Sequence, residues 1–427
     1  MKKLFFLSIL FLSFKIIAQT PETITVIKAG KMFDAEKGIF VDNQTIIIKN
    51  NLITEIGTNL KAPTNATIID LSKQTLLPGL IDCHTHITSQ PENYMEDLFR
   101  KSPIDYAVDA HIYAKRTLEG GFTACRDVGA LEYIDVALRN SINSGRVVGP
   151  RLFVSGPFIG ATGSHGDLTG FSPYIQFKTI SAIADGVDAI RKQVRTNIKY
   201  GADLIKFGAT AGVLTEEESV GAPQYSQEEM NALVAEANLW GKKVAAHAHG
   251  TEGINMAIKA GVSSIEHGSF LNEESIKLMK EKGTYLVADI YNDDFILAEY
   301  AKLGFPEKII NKEKLVGRLQ RENFQKAAKA GVKIAYGTDA GVYPHGDNAK
   351  QFFYMVKYGL TPAQAIQSAT INAAELIGAK DKIGSITVGK YADFVAIDGN
   401  PEQDVSLIAT KMVFVMKDGK VYVNKLK

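Results

Sequence analysis

At 427 residues, 45% apolar and 22% charged, the chain has the composition of a globular protein with room for an extended core, which argues against a largely disordered or low-complexity one. Forty-eight basic side chains against 47 acidic ones leave a formal charge of +1. With no basic block, the electrostatic footprint of a nucleic-acid partner is missing and a small-molecule partner is expected.

Met1-Lys2-Lys3 and the apolar run from Leu4 to Phe14 have the form of a cationic n-region and an h-region too short to span a bilayer. With Ala18 closing the run before Gln19, residues 1–18 are expected to be a cleaved signal peptide. The mature chain would be secreted or periplasmic and carry no membrane span. Lys15 and Ile16 fit the pattern poorly, and an uncleaved anchor is the competing reading. Next come two β-branched runs, Thr23 to Lys28 and Gln44 to Lys49, with Gly30 and Asn50-Asn51 as punctuation. The far end is similar: Asp393 to Ile397 and Met412 to Met416 read as strands, and Lys417-Asp418-Gly419-Lys420 as a hairpin turn. Residues 19–77 plus 380–427 are therefore assigned to one small β domain interrupted by an insertion.

The insertion, residues 78–379, alternates short apolar runs with helix-like stretches such as Ser226 to Trp240 and Lys312 to Ala330. Eight strands are expected: Leu77 to Ile87, Phe122 to Val128, Arg151 to Ser155, Leu204 to Gly208, Lys243 to His249, Ser263 to His267, Thr284 to Ile290 and Lys333 to Thr338. Eight is the count of a closed (β/α)8 TIM barrel, whose chemistry gathers at the C-terminal strand ends. Of the eight histidines, His84, His86, His247, His249 and His267 fall at those ends, with Asp339 at the eighth. His84 and His86 share one strand face, so both imidazoles reach one point in the barrel mouth. Two cysteines make no thiolate zinc site, so converging imidazoles and a carboxylate make the metal site. Standing alone, a His-x-His pair is as readily structural or accidental.

Lys206 lies in an otherwise apolar strand, Asp203 to Gly208, where a bare ammonium facing inward is costly. Either a carboxylate pairs with it, or its neutral amine has captured carbon dioxide as a carbamate able to bridge two metal ions. Cys83 and Cys125 lie on neighbouring strands and are expected to be free buried thiols, because Cys83 is out of phase with the inward His84 and His86. Arg126 and Asp127 are expected to pair with each other.

Leu80-Ile81-Asp82-Cys83-His84-Thr85-His86, Lys206, His247, His267 and Gly337-Thr338-Asp339, in that order, resemble the amidohydrolase superfamily of metal-dependent hydrolases. Gly121 to Gly129 and Gly163-Ser164-His165-Gly166-Asp167 look most like its imidazolonepropionase-related branch, which includes Xaa-Pro and Xaa-Arg dipeptidases; Lys206 favours the dipeptidase side. The resemblance implies that the β domain is a sandwich, and that two divalent ions, zinc by family habit, are held by His84, His86, Asp339, His247, His267 and carboxylated Lys206. Asp339 would also move the water's proton to the leaving amine. His249 shares a face with His247 and stays open as the ligand; His247 is preferred as the deeper residue, leaving His249 in the pocket. His165 would hydrogen-bond the substrate carbonyl, or merely tie a Gly-rich turn. Tyr225 would contact the substrate carboxylate, or pack ahead of a helix capped by Ser226. His345 is expected beside the pocket. The implied activity is hydrolysis of a dipeptide or N-acyl amino acid. A cyclic amide such as an imidazolone is the same-fold alternative, and a catalytically silent small-molecule binding protein the alternative of another class. The fifth-strand His247-Ala248-His249-Gly250 lacks the acidic residue that deaminases of the superfamily place shortly after that histidine, which disfavours a deaminase. A homo-oligomer is left open.

Overall fold

A computed structural model of the chain describes residues 22–91, 97, 99–175, 181–215 and 219–426; the expected signal peptide lies outside them. The two terminal pieces form one continuous seven-stranded sheet. In spatial order its strands are Lys420–Asn424, Met412–Lys417, Phe394–Ile397, Thr67–Pro78, Ile24–Asp34, Ile39–Lys49 and Leu52–Gly57. Ile27, Ile46, Leu71, Phe394 and Phe414 fill a core separate from the main one. The expected hairpin forms at Asp418 (φ 51°) and Gly419 (φ 72°), whose left-handed backbones suit a tight turn between antiparallel strands.

The barrel strands are Leu80–Thr85, Phe122–Asp127, Arg151–Val154, Ile205–Gly208, Val244–Ala248, Ser264–His267 and Tyr285–Val287, all pairing in parallel. Every residue of the first two is buried, as in a parallel sheet covered on both faces. The expected eighth strand is not a regular ladder. Its segment is stitched in by single bonds: Leu286 N to Lys333 O, Ala335 N to Leu286 O, Cys83 N to Tyr336 O and Asp339 N to His84 O. Gly337 explains the irregularity: a Cβ there would lie 2.2 Å from Val287 Cγ1 and 2.9 Å from His84 Cβ, so the chain runs too close to its neighbours for a side chain. At the other seam Asp203 N bonds Val154 O, so the ring is closed. Two two-residue strands, Ile159–Gly160 and Ala182–Ile183, extend the sheet beside the fourth strand.

Surrounding helices include Gln227–Leu239 and Glu307–Lys329. The first is capped as the sequence suggests: Ser226 Oγ accepts from Glu229 N, and the Glu229 carboxylate accepts from Ser226 N at 2.9 Å. The β domain is tied to the barrel by Gly79 N bonding Asp393 O, and by Arg151, which donates to Asp393 at 2.6 Å and Asp418 at 2.5 Å. No helix of the described residues is long and apolar enough to cross a membrane. Cys83 and Cys125 are free and buried, and burial pushes the Cys83 thiol up to about 12.

Candidate metal centre and active site

The C-terminal strand ends open on a cavity of about 420 Å3. His84 and His86 leave the first barrel strand on one face, and the Nε2 of each lies 3.2 Å from Asp339 Oδ1. Their opposite nitrogens are anchored, His84 Nδ1 at 2.9 Å from Glu266 Oε2 and His86 Nδ1 at 3.1 Å from Gly129 O. With each Nδ1–H donated outward, each Nε2 turns a lone pair toward Asp339. Three acceptors then meet at one point, and Asp339 Oδ1 has no hydrogen-bond partner. Such a cluster is repulsive unless a cation or added protons sit among the acceptors.

A second cluster adjoins it. His247, His249 and His267 bring donor atoms within 4.8 Å of one another, and His267, Asp289 and Asp339 form a further group of the same tightness. His267 Nδ1 lies 2.9 Å from Asp289 Oδ1, which also accepts from Gln320 Nε2 at 2.6 Å. His249 Nδ1 is bonded to Ser269 Oγ at 2.7 Å, whereas the buried His247 Nε2 has no partner. Burial holds the His247 and His249 imidazoles well below the ordinary range, so both are neutral and able to bind a metal.

Local backbone explains how consecutive residues both serve this site. A regular strand would send Glu266 and His267 to opposite faces. Yet Glu266 reaches His84, and the His267 ring lies 5.0 Å from that of His84, because His267 adopts φ 69°. Asp339 is likewise left-handed, at φ 58°. Non-glycine residues in this region cost about 1 kcal/mol or more each and concentrate at functional sites.

Lys206 is 1% exposed and lines the cavity, its Nζ 5.9 Å from the centre of the Phe158 ring. Among the described residues no carboxylate pairs with it, and burial lowers its ammonium to about 8. The salt-bridge reading of this lysine is therefore not what the structure shows. His165 stacks on His247 with ring centres 4.0 Å apart. Gly212 permits this contact: a Cβ there would lie 2.4 Å from the His165 ring and 2.9 Å from His247 Nε2. Burial lowers His165 to about 3, so its imidazole is neutral.

With this geometry in place, the chain can be set against known proteins. Residues 75–423 match the family model described as Amidohydrolase family. The chain belongs to the amidohydrolase family. As such it is an enzyme, a hydrolase of amide carbon–nitrogen bonds. It is 31% identical over 432 residues to an ochratoxinase of Aspergillus niger, covering 95% of this chain and 88% of that one. A solved structure of a Xaa-Pro dipeptidase with bound methionine superposes with a TM-score of 0.89 at 40% identity, covering 94% of this chain and all of that one. A prolidase complexed with N-methylphosphonate-L-proline gives 0.88 at 31% identity, covering 94% and 100%.

The amidohydrolase barrel gathers His84, His86, His165, Lys206, His247, His249, His267 and Asp339 around one cavity. Tyr225 is not among its lining residues: its hydroxyl donates to Ala184 O at 2.8 Å and its ring packs against Phe207. The expected carboxylate contact thus gives way to the packing alternative, with the hydroxyl held by Ala184 O. The expected Arg126–Asp127 pair is corrected too. Neighbours on a strand face opposite ways, and Arg126 instead holds Glu266 at 2.8 Å, while Asp127 accepts from Ile87 N at 2.6 Å. His345 braces the first ligand loop through His86 O and Ser89 O. Sequence reasoning gave no role to Glu266 or Gln320, and placed Asp289 and Asn292 only in a loop that shapes substrate preference, not beside His267 and Asp339. Asn292 Nδ2 donates to Asp289 Oδ2 at 2.7 Å and to Asp339 Oδ2 at 3.3 Å. None of these roles left a readable signal, because the contacts to His84, His267 and Asp339 join segments far apart along the chain.

Proposed function

We propose that this amidohydrolase is a binuclear zinc enzyme that cleaves the amide bond of dipeptides or N-acyl amino acids. The carrying observation is the meeting of His84 Nε2, His86 Nε2 and Asp339 Oδ1, three acceptors with a shared need for a cation. His84, His86 and Asp339 would hold one ion. His247, with its unpartnered Nε2, and His267 would hold the other, and Lys206 would join the two as a carbamate, formed by its neutral amine adding to carbon dioxide with loss of a proton. Bound there, the ions would supply Lewis acidity and lower the pKa of the attacking water.

The chain's own groups do the rest. Asp339 would accept a proton from the attacking water and return it to the leaving amine. Asn292 fixes that carboxylate by its other oxygen. His165, neutral and stacked on His247 with its Nδ1 unpartnered, would donate to the substrate carbonyl and stabilise the charge that develops on its oxygen. His249 walls the pocket beside His267. The names of the relatives support an amide substrate: an ochratoxinase and two proline dipeptidases share the whole architecture. The test is metal analysis of the purified chain with a screen of dipeptides and N-acyl amino acids. Two ions per chain and turnover are expected; no metal and no turnover would overturn the reading.

A further inference from the structure

The helix Pro103–Glu119, which follows the first barrel strand, buries Ala110, Tyr113, Ala114, Thr117 and Leu118. Its opposite face is apolar as well. Ile104, Val108 and Ile112, spaced one helical turn apart, are 73%, 60% and 40% exposed. Branched side chains are poor choices for the solvent face of a helix, because they lose rotamer freedom there and gain no burial in return. A row of three along one ridge marks a surface built for contact.

The charges beside the row say what fits it. Asp105, Val108, Ile112 and Lys115 follow one another at steps of three, four and three residues, the spacing of a seam between two packed helices. Laid antiparallel on a second copy of itself, this seam is self-complementary. Val108 of each copy faces Ile112 of the other, and Asp105 of each faces Lys115 of the other. Opposite signs then meet at both ends of the apolar centre, and the two helix dipoles are opposed. The stem of Arg116 from the second copy comes to lie over Ile104. A parallel copy would instead set Asp105 on Asp105 and Lys115 on Lys115. Asp105 is fixed in place by the helix cap, its Oδ2 accepting from Ser102 N at 2.7 Å. Lys115 is only loosely engaged within the chain, 3.7 Å from Glu119 in an exposed pair of the kind that is worth little.

We propose that the outer face of the helix Pro103–Glu119 is a two-fold interface at which two copies of this chain associate. Tyr106 on the same helix lines the cavity, which puts the interface next to the site. Sedimentation velocity of the purified chain tests this. A dimer, or a larger assembly built from dimers, is expected for the wild type. Val108→Glu, a change at an exposed position, should halve that assembly while the circular dichroism of the fold is kept. Lys115→Glu sets like charges together at both ends of the seam and should weaken association about 10-fold or more. Mild oxidation of Val108→Cys with Ile112→Cys should yield a covalent dimer. A monomer at every concentration, an assembly that survives Val108→Glu unchanged, or a monomer that instead co-sediments with lipid vesicles would overturn the proposal.

Discussion

Asp339 is asked to do two things, to help hold an ion and to carry a proton, and a substitution can separate them. Asp339→Asn keeps the shape and one oxygen but not the basicity, so kcat should fall about 100-fold or more while product affinity changes far less. Steady-state kinetics beside calorimetry would show it; an equal loss in both would assign Asp339 to binding alone. Lys206→Ala should lose zinc and activity together, with partial recovery on adding a short carboxylic acid. Wild-type zinc content in that variant, read by plasma emission, would remove the carbamate bridge. Tyr225→Phe deletes one buried hydrogen bond to Ala184 O, and should cost about 1 kcal/mol of stability while leaving kcat/KM for a free-carboxylate substrate untouched. A large rise in KM would restore the carboxylate contact that the fold denies it.

Between elements, the histidines are aimed by a relay across three strands: Arg126 from the second, Glu266 from the sixth and His84 from the first. Glu266→Gln weakens that anchor without emptying the space. Zinc affinity should drop about 10- to 100-fold, the usual effect of altering a group behind a ligand. Competition against a chromogenic chelator measures this, and unchanged affinity would mean that Glu266 only balances Arg126. The relay also marks what the sequence could tell. Apolar runs ending in His84-Thr85-His86, His247 and Asp339 revealed barrel strands and the side chains that meet in the cavity, because buried parallel strands and their polar tips are local patterns. Glu266 was hidden because period-two logic allows only one of Glu266 and His267 to face inward, and the φ of His267 that breaks the rule leaves no mark in composition. Asp289 and Gln320 act through contacts between distant segments, which no window of sequence contains. Tyr225 misled because a motif fixes a position along the chain, whereas contacts with distant residues, Ala184 O and the Phe207 ring, fix where the side chain lies.

At the scale of the molecule, the terminal sheet and the barrel are clasped by Arg151, whose side chain is mostly buried against Asp393 and Asp418. Removing it strands Asp393, which is almost fully buried, and Arg151→Ala should destabilise the fold by about 3 kcal/mol, an estimate for orphaning a buried charge. A lower thermal midpoint with kcat retained is expected; unchanged melting would show that the sheet is carried by other contacts.

The irregular segment from Lys333 to Asp339 both shuts the ring and delivers the last carboxylate, through Cys83 N to Tyr336 O and Asp339 N to His84 O. Ring closure and maturation of the centre are therefore one event. A chain emerging from its N-terminus holds His84 and His86 long before it holds the acid that meets them, so that group of three is complete only when the cylinder is whole.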